Sequence, residues 1–211
     1  MAYLQTDEEL EVAHAMAMAA NFARGVESDP HLWRWIILAL HSAAQGAMVL
    51  SIRHGNGLLA LSRTSYAEWM AAYEKNEPPP RERLDNSLDL YEKVKHRTTG
   101  TIGGNTRFVP RGFEGADIKR LNSLRNEFIH FTPRGWSLEI DGLPRICLSA
   151  GRLVSFLAIE TTNVMWRDED AHNMLKSVHG QFTSEMERLK VLFAKRRGQR
   201  RASPRSLVSP G

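Results

Sequence analysis

Apolar residues recur at intervals of three and four along most of the chain, a pattern that predicts helices with one buried face each. The clearest helix begins at Asp29-Pro30, an N-cap residue followed by a proline at the first helical position, and is ended by Gly55-Asn56-Gly57. Its buried face is expected to consist of Trp33, Ile36, Ile37, Leu40, Ala44, Ala47, Met48 and Ile52. Further helices are predicted at about residues 6–24, 65–75, 84–96, 116–131, 149–165 and 168–193. The pattern therefore predicts an all-α fold, an antiparallel helical bundle.

One segment departs from the helical period. Apolar and polar residues alternate over residues 136–140, the chain turns at Asp141-Gly142, and apolar residues return at Ile146 and Leu148. Alternation on both sides of a turn of this type is typical of a β-hairpin. The sequence therefore predicts a small hairpin inserted at about residues 136–148.

The composition fits one soluble globular domain. The chain has 211 residues, of which 42% are hydrophobic and 25% are charged. A single cysteine rules out an intramolecular disulfide, which fits a reducing compartment. The longest uninterrupted apolar run, Trp35–Leu40, is much shorter than the roughly 20 residues that span a bilayer, and the acidic N-terminus does not resemble a secretory signal. We therefore expect a cytoplasmic protein that does not enter a membrane.

The net charge of +4 is unevenly distributed. Residues 195–211 contain six lysines and arginines and no acid, and subtracting those six charges leaves −2 for residues 1–194. The domain is therefore predicted to span residues 1–194, followed by a disordered basic tail at 195–211. Such a tail can bind polyanions by releasing their counterions, but it can equally be a solvated terminus.

The residues with the most informative chemistry are Arg125, Asn126 and His130. An arginine, a polar residue directly after it and a histidine five positions beyond the arginine resemble the signature of HEPN domains. The position also matches that family, since the motif lies late in a helix in the second half of a small helical bundle. The resemblance covers about residues 30–190. It implies a HEPN-like bundle that forms a homodimer and cleaves RNA without a metal ion or other cofactor.

The geometry of a helix explains why a dimer is implied. At 100° per residue, Asn126 and His130 lie about 40° apart, whereas Arg125 lies about 140° from His130. One helix therefore cannot easily direct Arg125 and His130 at the same phosphate. In the arrangement that the resemblance implies, two such helices meet across a two-fold axis and each motif completes the other.

The residue types suit RNA cleavage. RNA supplies its own nucleophile, the 2′-hydroxyl, and an imidazole such as that of His130 can accept or donate a proton near neutral pH. The guanidinium of Arg125 can stabilise the charge that grows on the phosphoryl oxygens, and Asn126 can orient His130 or bind a phosphate oxygen. The leading prediction is thus an endoribonuclease that acts through 2′-OH attack, in the manner of a toxin or defence component with an antitoxin or other protein partner.

Two other interpretations remain open. The chain can be a non-catalytic HEPN-like module that binds RNA, a nucleotide or a protein partner through the same cleft. Alternatively, Arg125 and His130 can be structural, because cationic side chains stabilise the C-terminal end of a helix.

Three further residues are candidates for substrate binding. His41 and Gln45 lie four residues apart on the helix that is expected to pack beside the motif, although a buried histidine bonded within the core is the alternative. Trp136, just after the motif, is expected either to form a wall of the cleft or to anchor the hairpin. Glu169 and His172 match half of a di-iron motif, but the rest of the ligand set is missing and acids are common at a helix start, so no metal site is expected.

Overall fold

The computed structural model describes residues 1–53, 57–96, 106–130, 135 and 137–202. Throughout these ranges the regular structure is helical, and the predicted all-α class is confirmed. The α-helices are α1 (Glu8–Ala23), α2 (Leu32–Ile52), α3 (Arg63–Glu74), α4 (Ser87–Lys95), α5 (Glu114–Ile129), α6 (Leu143–Ser155) and α7 (Glu169–Ala202). A 3₁₀ turn at Leu58–Ala60 and a π-helical turn at Phe156–Glu160 complete the regular structure of the described residues.

Helix α2 lies at the centre of the bundle. It packs against α1, α4, α5 and α6, and α7 closes the other side by packing on α1 and α6. Its buried residues include all eight apolar positions that the sequence pattern predicts. The α2 helix therefore positions α5, the helix that carries the motif.

A buried carboxylate ties the first helix to the last. The N-cap of α1 is Asp7, whose side chain accepts hydrogen bonds from the backbone N–H groups of Glu9 and Leu10. The Glu9 side chain is itself buried and accepts from Nε of Arg167 at 2.9 Å and from the backbone N–H groups of Arg167 and Asp168 at 3.0 Å. These three bonds join the start of α1 to the loop before α7.

The predicted hairpin is wrong in its second half. Residues 143–155 form α6, which has Pro144 in its first turn and buries Ile146 and Cys147. Proline is well tolerated at the start of a helix because its missing N–H would have no partner there. The described residues between 135 and 142 contain no strand, and Trp136 lies outside the described residues.

The last helix is longer than its apolar pattern predicts. Helix α7 continues to Ala202, past the predicted end at residue 193. The first part of the predicted disordered tail, residues 195–202, is therefore helical. Arginine and lysine have high helix propensity, so a basic sequence can extend a helix that already has a buried N-terminal part.

By length and composition alone, α2 is apolar enough to cross a membrane. However, 61% of its apolar window is buried inside the bundle, as is common for the core helix of a globular domain.

Candidate functional site

Helix α5 runs antiparallel to α2. Near the start of α2, Nη2 of Arg34 donates to the backbone oxygen of Phe128 at 3.2 Å. Two turns further along α2, Nε2 of His41 lies 3.1 Å from Oδ1 of Asn122. Moving forward along α2 thus means moving backward along α5, which places the motif-bearing end of α5 beside the first half of α2.

The three motif residues lie together at this end of α5. Arg125 is half-buried, and its Nη1 donates to Oδ1 of Asn126 at 2.9 Å. Asn126 and His130 are exposed. His130 is the C-cap, and its backbone N–H donates to the oxygen of Asn126 at 2.9 Å while its own dihedral angles, φ −94° and ψ 86°, leave the helix. The helix therefore ends at His130.

Arg125 lines a cleft of about 520 Å³. It lies between α1, α2 and α5, and we call it the α2–α5 cleft. It is lined by Glu8, Glu11, Val12, Leu38, His41, Ser42, Gln45, Gly46, Val49, Leu84, Arg125 and Ile129. The structure thus brings His41, Gln45 and Arg125 to one cleft, whereas Asn126 and His130 are not among its lining residues.

The sequence suggests two alternative environments for His41, a wall of the cleft and a buried position in the core, and in the structure both descriptions apply. Its side chain is only 6% exposed, and it also lines the cleft. Burial lowers the pKa of His41, and the nearby charge of Arg125 lowers it further, while the hydrogen bond to Asn122 opposes both effects. Because the Asn122 oxygen is an acceptor, Nε2 of His41 carries the proton and Nδ1 keeps its lone pair. The neutral imidazole therefore contributes an acceptor to the cleft.

The opposite wall of the cleft is acidic, which the sequence analysis did not predict. Glu8 forms ion pairs with Arg53 and, at 3.7 Å, with Arg167. Oε1 of Glu11 accepts a hydrogen bond from the hydroxyl of Thr6 at 2.6 Å. Both carboxylates are far from the motif in sequence, and only the packing of α1 on α2 brings them near it.

The partners of Arg125 differ from those of two other arginines that line a cleft. A second cleft, of about 360 Å³, lies between α5, α6 and α7 and contains Arg145 and Arg152. Each of these is neutralised, Arg145 by Asp117 and Arg152 by Glu114. Among the residues that the structure describes, Arg125 has no carboxylate partner. Its positive charge is therefore available to a ligand.

Apolar side chains flank the exposed end of α5. Ile129 is 43% exposed and Trp35 on α2 is 46% exposed. The guanidinium of Arg34 lies 5.1 Å from the centre of the Trp35 ring and also reaches the backbone of α5. This flank resembles the apolar surfaces at which proteins associate.

In the described part of the chain, no group of three or more histidine, cysteine, aspartate or glutamate side chains is arranged to hold a metal ion. His172, half of the di-iron spacing, stacks on the ring of Trp166 at 4.7 Å between centres.

Comparisons of the chain with models of protein families, with curated proteins and with solved structures find no match.

Proposed function

We propose that this protein is a metal-independent endoribonuclease that acts as a homodimer. The observation that supports the proposal best is the position of Arg125. Its guanidinium has no carboxylate partner among the described residues, lines a cleft of ligand size and donates to the exposed Asn126 of the motif. A half-buried cation without an acid partner suits a phosphodiester, since the planar guanidinium can bind two phosphate oxygens at once.

The proposed reaction uses the 2′-hydroxyl of the substrate. His130 of one subunit takes the 2′-proton while the 2′-oxygen forms a bond to phosphorus and the bond from phosphorus to the 5′-oxygen breaks. The departing 5′-oxygen takes a proton from water. Arg125 of the other subunit stabilises the negative charge that develops on the phosphoryl oxygens. The products are a 2′,3′-cyclic phosphate and a free 5′-hydroxyl.

The proposed dimer joins the exposed ends of two α5 helices around a two-fold axis. Ile129 and Trp35 flank this end, and their burial would help to hold the subunits together. An isologous interface of this kind places two copies of Arg125 and two of His130 in one region.

The exposure of His130 supports a chemical rather than a packing role. A histidine that acts only in the core of its own subunit would be buried there. Truncating an exposed side chain costs little stability, usually within about 0.5 kcal/mol, so activity and folding can be separated in a variant.

The test is cleavage of RNA by the full chain in the presence of EDTA. Wild-type protein is expected to cleave RNA with 2′,3′-cyclic phosphate ends and, when overproduced, to slow cell growth. His130→Ala and Arg125→Ala should each lower kcat/KM by a factor of about 100 or more. His14→Ala, which removes an exposed histidine of α1 outside the cleft, is the matched control and should retain full activity. Intact RNA with the wild type, or full activity in His130→Ala, would contradict the proposal.

A non-catalytic binding module is the second candidate, and one observation favours it. The α2–α5 cleft contains Arg125, His41 and Gln45, but His130 does not line it. A module that only binds RNA, a nucleotide or a protein partner through this cleft would bind equally well after His130→Ala. Arg125→Ala would weaken that binding, which separates this candidate from a structural role for both residues.

A further inference from the structure

The polar groups of the α2–α5 cleft are mostly acceptors of hydrogen bonds. One oxygen of Glu11 is engaged by Thr6, and its second oxygen has no partner among the described residues. Nδ1 of His41 has none either, and the His41 side chain lines the cleft. Ser42 and Gln45 can each donate or accept. A ligand that donates several hydrogen bonds is therefore favoured over one that mainly accepts.

The walls between these polar groups suit a flat, uncharged ring. Leu38, Val49 and Ile129 supply apolar surface. The charge of Glu8 is compensated by Arg53, which leaves Glu11 and Arg125 as opposite charges at the two sides of the cleft. A phosphate is consequently attracted only at the Arg125 side, and the acidic side repels it. The volume of about 520 Å³ falls in the range of small-molecule sites, about 300–1,000 Å³.

We propose that the cleft binds the base of the nucleotide next to the cleaved phosphate, and that it prefers guanine. This inference rests on the proposed function, because Arg125 holds the phosphate while the attached base enters the cleft. The preference follows from the number of donors on each base. The Watson–Crick edge of guanine offers N1–H and the N2 amino group side by side, a pair that matches the two oxygens of a carboxylate. Each carboxylate oxygen can accept two hydrogen bonds, so Oε1 of Glu11 can accept from guanine as well as from Thr6. Uracil offers only N3–H.

Glu11 is the residue assigned to this discrimination. It is exposed at the rim of the cleft, so a substitution there does not disturb the core. Glu11→Gln replaces one acceptor oxygen by an N–H donor and keeps the shape of the side chain. Glu74→Gln, on the exposed side of α3 outside the cleft, changes the same charge and is the matched control.

The first experiment measures binding of the four nucleoside 3′-monophosphates that occur in RNA, and of 3′-IMP, to the full chain by calorimetry. We expect 3′-GMP to bind about tenfold more tightly than 3′-UMP, with 3′-IMP, which lacks the N2 amino group, in between. Glu11→Gln should reduce the preference for 3′-GMP over 3′-UMP to less than about threefold, and Glu74→Gln should leave it unchanged. Equal binding of all four nucleotides, no binding, or an unchanged preference in Glu11→Gln would overturn the inference.

The second experiment measures cleavage of oligonucleotides that differ only in the base next to the scissile bond. Cleavage that is fastest at guanosine and slower at inosine supports both proposals. Cleavage without any base preference overturns the base site and leaves the ribonuclease standing. Preferential binding of 3′-GMP by a chain that cleaves none of the oligonucleotides overturns the ribonuclease and leaves a guanine-binding cleft.

Discussion

Arg125 links the two parts of the site at the scale of single residues. It contacts Asn126 in the exposed motif and lines the cleft that contains His41, and its charge lowers the pKa of His41. A phosphate that binds to Arg125 would offset this charge and let the imidazole hold a proton more readily. The protonation state of His41 is therefore a direct reporter of whether an anion occupies the site.

The titration of His41 can be followed by NMR in the free protein. Its midpoint is expected below the ordinary histidine value of about 6.5, because burial disfavours the imidazolium. Arg125→Gln should move the midpoint up by removing a neighbouring positive charge. Asn122→Ala should move it down by removing the hydrogen bond that favours the charged ring. The same direction of change in both variants would show that the two neighbours do not act on His41 as assigned.

The lowered pKa of His41 also predicts how stability depends on pH. Above about pH 6.5 the side chain is neutral in both the folded and the unfolded chain, so it adds no pH dependence. As the pH falls below this value the unfolded chain takes up the proton first. The contribution of His41 to the free energy of unfolding is therefore lost on acidification, until the folded protein also becomes protonated.

At the scale of helices, α1 and α2 approach each other closely at Gly46. A Cβ atom at Gly46 would lie 2.5 Å from Cγ2 of Val12, well inside van der Waals contact. Glycine at this position lets the two helices approach, and the same close approach shapes the wall of the cleft. By contrast, a Cβ atom at Gly180 on α7 would meet no atom within 4 Å.

These two glycines make a matched pair for a stability experiment. Gly46→Ala should lower the free energy of unfolding by about 1–3 kcal/mol, because the β-branched Val12 is stiff and the helices must separate. Gly180→Ala should raise it by about 0.5–1 kcal/mol, since alanine favours the helical backbone and the site is open. Urea unfolding of both variants measures the difference. No loss of stability in Gly46→Ala would mean that the helices are not as close at Gly46 as the structure shows.

Helical periodicity predicts the elements better than it predicts their ends. The buried face of α2 follows from its apolar spacing because one face of a long helix must meet the core. For the segment at 143–155 the local pattern predicts the wrong structure. Asp141-Gly142 followed by spaced apolar residues fits a hairpin turn as well as the approach to a helix. The helix is favoured over the hairpin because α6 packs on α2, α5 and α7 and buries Ile146 and Cys147, and this packing is not visible in the local sequence.

The site is predictable from the sequence only in part, for a similar reason. Arg125 and His130 are recognisable because they lie in one short motif. The hydrogen bond between His41 and Asn122 joins positions 81 residues apart and depends on the register of α5 against α2. Glu11 carries no distinctive local pattern, so its place opposite Arg125 emerges only from the packing of α1 on α2.

At the scale of the whole molecule, the proposal requires that each catalytic set be shared between two subunits. The geometry makes this testable with mixed dimers that carry different variants. If Arg125 of one subunit acts with His130 of the other, a dimer of one Arg125→Ala chain and one His130→Ala chain contains one complete set and one empty set. Such a dimer, purified through two different tags, should show about half of the wild-type activity, although each variant alone is inactive.

A second mixed dimer distinguishes a site shared between subunits from a site within one subunit. A wild-type chain paired with a chain that carries both Arg125→Ala and His130→Ala has no complete set if the residues act across the interface, so this dimer should be inactive. If the two residues instead act within one subunit, this pairing retains about half of the activity and the first pairing has none. Trp35→Glu, which places a charge on the flank of the proposed interface outside the α2–α5 cleft, should yield monomers in analytical ultracentrifugation and abolish cleavage. Monomers of the wild-type chain at assay concentrations, or a Trp35→Glu protein that remains dimeric and active, would exclude this flank as the interface on which the shared site depends.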